Sequence, residues 1–231
     1  SDSAEEQMSE AITHLEKVFG IKIKGSWLPE MGLSKEVLEL LEKLNIKWTM
    51  SDESILAKSA NYTFERDYDG HLEDPYHLMK PYKYNNLAVI FRDSHIPDMI
   101  NYEYANMSSD VAAKDLYDRI KVIQDKLKNS PDEKHILTIA LDCENCWSYY
   151  SENGRIFLEK IYSLIEKDNS LETVLISDYI ENVKPKPLKK ISAGSWFNKS
   201  FKLWIDEPVK NLAWRYLNRV RNDFIEYVKR R

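Results

Sequence analysis

Cysteine, glycine and proline are all scarce in this chain: its 231 residues include two, six and eight of them. Two thiols cannot build a disulfide framework. So little glycine and proline, beside 43% hydrophobic and 31% charged residues, excludes a collagen-like, low-complexity or wholly disordered polypeptide. No apolar run approaches the roughly 18 residues that a membrane-spanning helix needs. No basic start followed by an apolar block opens the chain, so no signal peptide is visible and a cytoplasmic location is expected. An excess of positive charge is missing too. Lys plus Arg number 33 against 38 Asp plus Glu, a net charge of −5, which argues against nucleic acid as a partner. What remains is enough chain for one sizeable core. The aromatic load is high, at 12% with 14 tyrosines and 6 tryptophans. Flat rings on a neutral-to-acidic surface suit an uncharged, partly apolar ligand.

Helix and strand patterns alternate. Met8, Ile12, Leu15 and Phe19 recur at helical spacing and predict an amphipathic helix over 4–19, stopped by Gly20. An extended run, Ile21–Trp27, ends at Pro29-Glu30. Ser34 is a plausible N-cap for a helix that aligns Val37, Leu38, Leu41 and Leu44. Further strands are expected at Ile46–Met50, Leu87–Phe91, Ile136–Leu141 and Thr173–Ile176. Helices are expected from Ser109 or Asp110 to Lys128 and from Gly154 to Glu166. Such alternation predicts βαβ units and a mainly parallel sheet. Residues 61–86 form a long irregular segment with six Tyr and Phe side chains, and a loop of that length in a compact domain is functional or mobile. After Val183 the breaker Lys184-Pro-Lys-Pro leads to an aromatic stretch and a long terminal helix. The expected division is therefore a β/α barrel portion, 1–183, and a linker with a helical segment packed on it, 184–231.

Most of the expected strands end in acidic or charged residues: Glu30, Asp52-Glu53, Arg92-Asp93, Asp142 and Asp178. In parallel α/β folds the carboxyl ends of the strands share one face, where sites are assembled. Glu30 and Asp142 can therefore converge, although a polar residue after a strand is more often a helix cap. Two carboxylates on one pocket are the apparatus of glycoside hydrolysis, one attacking the anomeric carbon while the other protonates the leaving oxygen.

Local sequence adds the specificity that a lone pair lacks. Gly25-Ser-Trp-Leu-Pro-Glu30, Asp52-Glu53, Phe91-Arg-Asp93, Leu141-Asp-Cys-Glu-Asn-Cys-Trp147 and Gly194-Ser-Trp196 resemble glycoside hydrolase family 57, most of all its amylopullulanase and α-amylase branch. The resemblance implies a retaining enzyme of α-glucans or maltooligosaccharides, without cofactor or metal. Its implied fold is α/β, a partial (β/α)7-type barrel with mainly parallel strands followed by a short C-terminal helical segment. It implies Glu30 as nucleophile and Asp142 as general acid/base, the second holding a proton while the first is ionised. Retention requires the two carboxyl groups about 5–5.5 Å apart. Trp27, Asp52, Arg92, Asp93, Trp147 and Trp196 are the implied substrate-binding residues, with Trp27 and Trp196 as aromatic walls. Arg92 and Asp93 would bind sugar hydroxyls or hold the carboxylates.

Departures from the family pattern are clear. Cys143 stands where the family has Gly, His95 is displaced by one position, and Asn101 replaces a Gly. No His-Gln-Pro strand occurs, and fewer strands can be counted than the barrel requires. The chain is then either a portion of a longer enzyme, whose N-terminal part supplies the missing strands, or a truncated relative that only binds carbohydrate. The Cys143-x-x-Cys146 spacing is redox-like but lacks the helix that a thioredoxin site needs. His71, His77 and His95 lack metal-ligand spacing. A zinc-dependent deacetylase on a similar barrel would require a bound metal. The basic spots, Lys184–Lys190 and the terminal residues, are read as solvated faces.

Overall fold

The computed structural model describes residues 2–131, 134–142, 144 and 146–231. Its centre is a five-stranded sheet in the order β1-β2-β4-β3-β5. The strands are β1 (Gly25–Ser26), β2 (Trp48–Asp52), β3 (Tyr82–Tyr84), β4 (Leu87–Arg92) and β5 (Lys186–Pro187). β1, β2 and β4 run parallel, β3 pairs antiparallel with β4, and β5 lies parallel to β3. All six residues of β4 are buried, as expected of a central strand covered on both faces. β2 buries two hydroxyls and satisfies both: Thr49 donates to the Ser26 carbonyl and Ser51 to the Met31 carbonyl, each at 2.9 Å.

The helices are α1 (Asp2–Phe19), α2 (Lys35–Lys43), α3 (Glu53–Ala60), α4 (His95–Asp98), α5 (Ser109–Leu127), α6 (Arg155–Glu166), α7 (Ile176–Asn182) and α8 (Pro208–Lys229). Capping explains several boundaries. The Ser34 hydroxyl accepts from the Val37 N–H at 3.3 Å, and Asp52 accepts from the Ser54 N–H at 3.0 Å. The cap of α5 is Ser108, one residue before the expected start. In α1, Met8 and Ile12 pack on the core, whereas Leu15 and Phe19 are exposed, so the expected single buried face turns outward at its end. The main core joins β4 to α2, α5 and α6 through Leu38, Leu41, Phe91, Leu116 and Phe157.

The mainly parallel α/β architecture is the one expected, but individual strands differ. The expected Ile21–Trp27 strand shrinks to Gly25–Ser26, and 46–50 shifts to Trp48–Asp52. Residues 136–141 are extended without being a strand. Their bonds to the sheet region are single: Ile136 N–H to the Met79 carbonyl at 3.0 Å and Asp93 N–H to the Thr138 carbonyl at 3.3 Å. A ladder needs repetition on one neighbour. Residues 173–175 lie outside any strand, and Ile176 opens α7. From the breaker onward the chain adds, as β structure, only the short β5 and an isolated bridge between Leu33 and Gly194. The tyrosine-rich segment is partly regular: it holds an Arg66–Leu72 bridge and runs into the β3–β4 hairpin. α8 has no buried residue. Among the described residues no helix is long and apolar enough to cross a membrane.

Candidate active site

β1 runs through Trp27 and Leu28 into the tight turn Pro29–Met31, where Glu30 and Met31 are both left-handed, at φ 52° and 50°. Such backbone costs about 1–3 kcal/mol per residue and persists only where its surroundings enforce it. Here they do. Met31 is fully buried, its carbonyl accepts the Ser51 hydroxyl, and the Glu30 carbonyl accepts the Trp196 N–H at 3.1 Å. The Glu30 carboxylate accepts the indole N–H of the same tryptophan. Trp196 thus holds both the backbone and the side chain of Glu30.

Trp196 arrives by way of Gly194-Ser195. Gly194 exchanges both backbone hydrogen bonds with Leu33, at 2.8 and 3.0 Å. A Cβ there would sit 2.9 Å from the Lys199 carbonyl oxygen, so glycine is required for the close approach. Ser195 is fully buried and donates to the Ser200 carbonyl at 2.8 Å, pinning the following turn. Trp27 stands edge-on to Trp196, with ring centroids 5.6 Å apart and planes at 86°. At 40% exposure, Trp27 opens this ring pair to solvent beside Glu30.

β2 and β4 place Asp52 opposite Arg92 in register. Arg92 donates from Nε to Asp52 at 3.0 Å and from Nη1 to the Ala140 carbonyl at 2.9 Å. Its guanidinium carbon lies 4.3 Å from the centre of the Trp196 ring, a cation–π contact in a partly desolvated setting. Ala140 packs with Met31 and Met50, and Trp48, Ile176 and Trp196 lie against them. Asp142 is exposed two residues further on, within about 7 Å of chain from Ala140. Glu30 and Asp142 therefore lie one and two residues from members of a single small apolar cluster.

The sequence profile of Glycosyl hydrolase family 57 matches residues 1–192. The chain belongs to glycosyl hydrolase family 57. No curated protein matches it by sequence. Solved structures similar to it include a family 57 branching enzyme from Thermococcus kodakaraensis crystallised with glucose, at 16% identity and a TM-score of 0.69, covering 95% of this chain and 50% of that one. The 4-α-glucanotransferase from Thermococcus litoralis matches at 16% identity and a TM-score of 0.60, over 95% of this chain and 32% of that one. An α-amylase from Thermotoga maritima matches at 12% identity and 0.67, over 96% and 51%. At these identities the likeness shows the fold, and the chain spans about a third to a half of the length of these proteins.

Within this family 57 chain the expected site residues separate into two groups. Glu30, Trp27, Trp196, Arg92 and Asp52 come together. Asp93 does not open on the same space: it is 1% exposed, and its carboxylate accepts from Arg66 at 3.2 Å and from the Ile96 N–H at 2.9 Å. Trp147 packs against Tyr150 and Phe157 on the main core, centroids 5.3 and 6.3 Å away. Its neighbour Cys146 is buried, while Cys143 of the expected Cys-x-x-Cys lies outside the described residues. Among the described residues no three His, Cys, Asp or Glu side chains are grouped to hold a metal ion.

The sequence singled out neither Arg66 nor Asp98, and it read Glu53 only as part of the Asp52-Glu53 motif. Glu53 accepts from Arg66 at 2.5 Å and from the Ser94 hydroxyl at 2.8 Å. Burial pushes the Glu53 carboxyl above its ordinary range, with Arg66 opposing and Asp93 reinforcing the rise. Asp98 is likewise raised by burial, against the pull of Arg92. Arg66 comes from the irregular tyrosine-rich segment, where no periodicity marks it.

Proposed function

We propose that this chain is the later portion of the catalytic barrel of an α-glucan-active retaining glycosidase or transglycosidase, close to the amylopullulanase and α-amylase branch. Residues 1–183 form the barrel portion in this reading, and 184–231 the linker and appended helix. The observation that carries it is the Glu30 carboxylate, held by the Trp196 indole on a doubly left-handed turn beside the half-open Trp27 ring. A group fixed in this way is pre-organised, as a nucleophile has to be.

In the first step a Glu30 oxygen bonds to the anomeric carbon as the bond to the leaving oxygen breaks, and Asp142 delivers its proton to that oxygen. In the second step Asp142 takes a proton from an incoming water or sugar hydroxyl, whose oxygen displaces Glu30. Water gives hydrolysis and a glucan acceptor gives transfer. Trp27 and Trp196 offer faces for sugar rings. Arg92 orients Trp196 and tethers the segment that carries Asp142.

Glu30→Gln and Asp142→Asn should each lower turnover of maltooligosaccharides by about 10³-fold or more relative to the parent protein. Azide should restore glycoside cleavage in a Glu30→Ala variant through attack on the opposite face. Parent-like turnover in Asp142→Asn removes the assignment of the acid/base. The second reading is a truncated relative that only binds carbohydrate. Calorimetric binding of maltoheptaose with no release of reducing ends would select it.

A further inference from the structure

We propose that Arg66 is a positioning residue: it ties the carboxyl ends of β2 and β4 together from behind and so sets the Arg92–Trp196–Glu30 arrangement. The proposal rests on the reading of Glu30 as nucleophile and extends it to a residue outside every motif.

Side chains alternate at the ends of these two strands. Asp52 and Arg92 face Trp196 and Ala140. Glu53 and Asp93, the next residue of each, face the opposite way, toward Arg66. A single nitrogen, Nη2, donates to Glu53 at 2.5 Å and to Asp93 at 3.2 Å, while Nη1 donates to the Gly70 carbonyl at 2.9 Å. Side-chain exposures of 19% for Arg66, 12% for Glu53 and 2% for Asp93 put this bridge largely out of water. One guanidinium between two buried carboxylates is the cation that lets both face each other, and without it their repulsion would drive the strand ends apart. Glu53 passes the constraint on by accepting from both the backbone N–H and the hydroxyl of Ser94, at 3.2 and 2.8 Å.

Arg66 is not needed merely to dock its own loop. Arg119 donates to the Asp69 carbonyl at 2.8 Å and Lys126 to the Leu72 carbonyl at 2.6 Å, so the loop has independent anchors. What the Arg66 side chain adds is a link across both strand ends. The guanidinium uses one nitrogen for both carboxylates and another for the Gly70 carbonyl, whereas a lysine ammonium keeps a cation between the carboxylates without the second tie.

The test reads Trp196 directly. In the full 231-residue chain labelled with ¹⁵N, the Trp196 indole N–H resonance is assigned by its loss in Trp196→Phe. It is then followed in Arg66→Met and Arg66→Lys. Should Arg66→Met not fold, Arg66→Gln, which removes the charge and keeps a polar head between both carboxylates, is read in the same way. The expected result is a Trp196 resonance displaced toward that of an unbonded indole in the Met variant and largely restored in the Lys variant. Maltooligosaccharide turnover should fall about tenfold in kcat with KM nearly unchanged, because misplacement acts on the reacting groups. An unmoved Trp196 resonance in a folded Met variant overturns the positioning role, whatever the kinetics. A displaced resonance sustains the positioning role, while absence of turnover in the complete enzyme, with the rest of its barrel present, defeats the glycosidase reading instead.

Discussion

At the residue scale, the Trp196 indole joins three functions: it donates to Glu30, lies against Arg92 and walls the open side with Trp27. Trp196→Phe keeps the ring and removes the donor, so kcat should fall about 10- to 100-fold with the fold intact, checked by steady-state kinetics beside circular dichroism. A different residue tests how the loop is seated. Gly70 has φ +82°, and a Cβ there would lie 2.1 Å from the His95 ring. Gly70→Ala should therefore cost at least about 1 kcal/mol in urea unfolding, from a left-handed conformation as well as the clash. Much of the site was legible at this scale because motif residues name their own chemistry: Glu30 after Trp-Leu-Pro and Trp196 after Gly-Ser. Asp93 was not, since a sequence does not say which of two adjacent charged residues turns to the front of a strand end. Arg92 turns forward and Asp93 back, and their partners Asp52 and Glu53 follow the same alternation.

At the scale of elements, helices were read well and strands poorly. α2, α5 and α6 fall within a few residues of their expected limits because caps and apolar spacing are local properties. Strand identity is not local. Residues 136–141 have a strong strand composition, yet their backbone bonds to the sheet region go singly to Met79 and Asp93 instead of forming a ladder. The turn after α6 is held to α5 by Asp168, which accepts from Lys121 at 2.7 Å and from Tyr117 at 2.8 Å. The Lys121 bond foremost, then Ser170 and Tyr117, holds the Asp168 carboxyl well below the usual carboxylate range. A depressed pKa contributes stability above the unfolded value of about 3.9, and that stability is lost as pH falls toward the folded value. Melting midpoints of the parent protein should thus drop on acidification from pH 5 to pH 2. Asp168→Asn should start lower and fall less steeply, and parallel slopes would contradict the assignment.

At the scale of the whole molecule, the aromatic part of the core lies where α5 and α6 pack together. Phe157 is 1% exposed and packs against Tyr104, Trp147 and Tyr150. Phe157→Ala should cost about 3–5 kcal/mol by urea unfolding. α8 is the opposite case: none of its residues is buried, and Leu217, Val220 and Phe224 are each about 60% exposed. Shortening the chain to 1–206 should leave the unfolding free energy within about 1 kcal/mol of the parent, since no core area is removed, and should lower binding of an apolar dye. The amino-acid sequence by itself determined the family and the helices α2, α5 and α6, because motifs, caps and apolar periods are written in neighbouring residues. Only the tertiary structure decided which residues meet Glu30, that Asp93 and Trp147 are turned into the interior, and that Arg66 spans two strand ends. Those outcomes depend on side-chain direction and on pairing between distant segments, which no local stretch of sequence encodes.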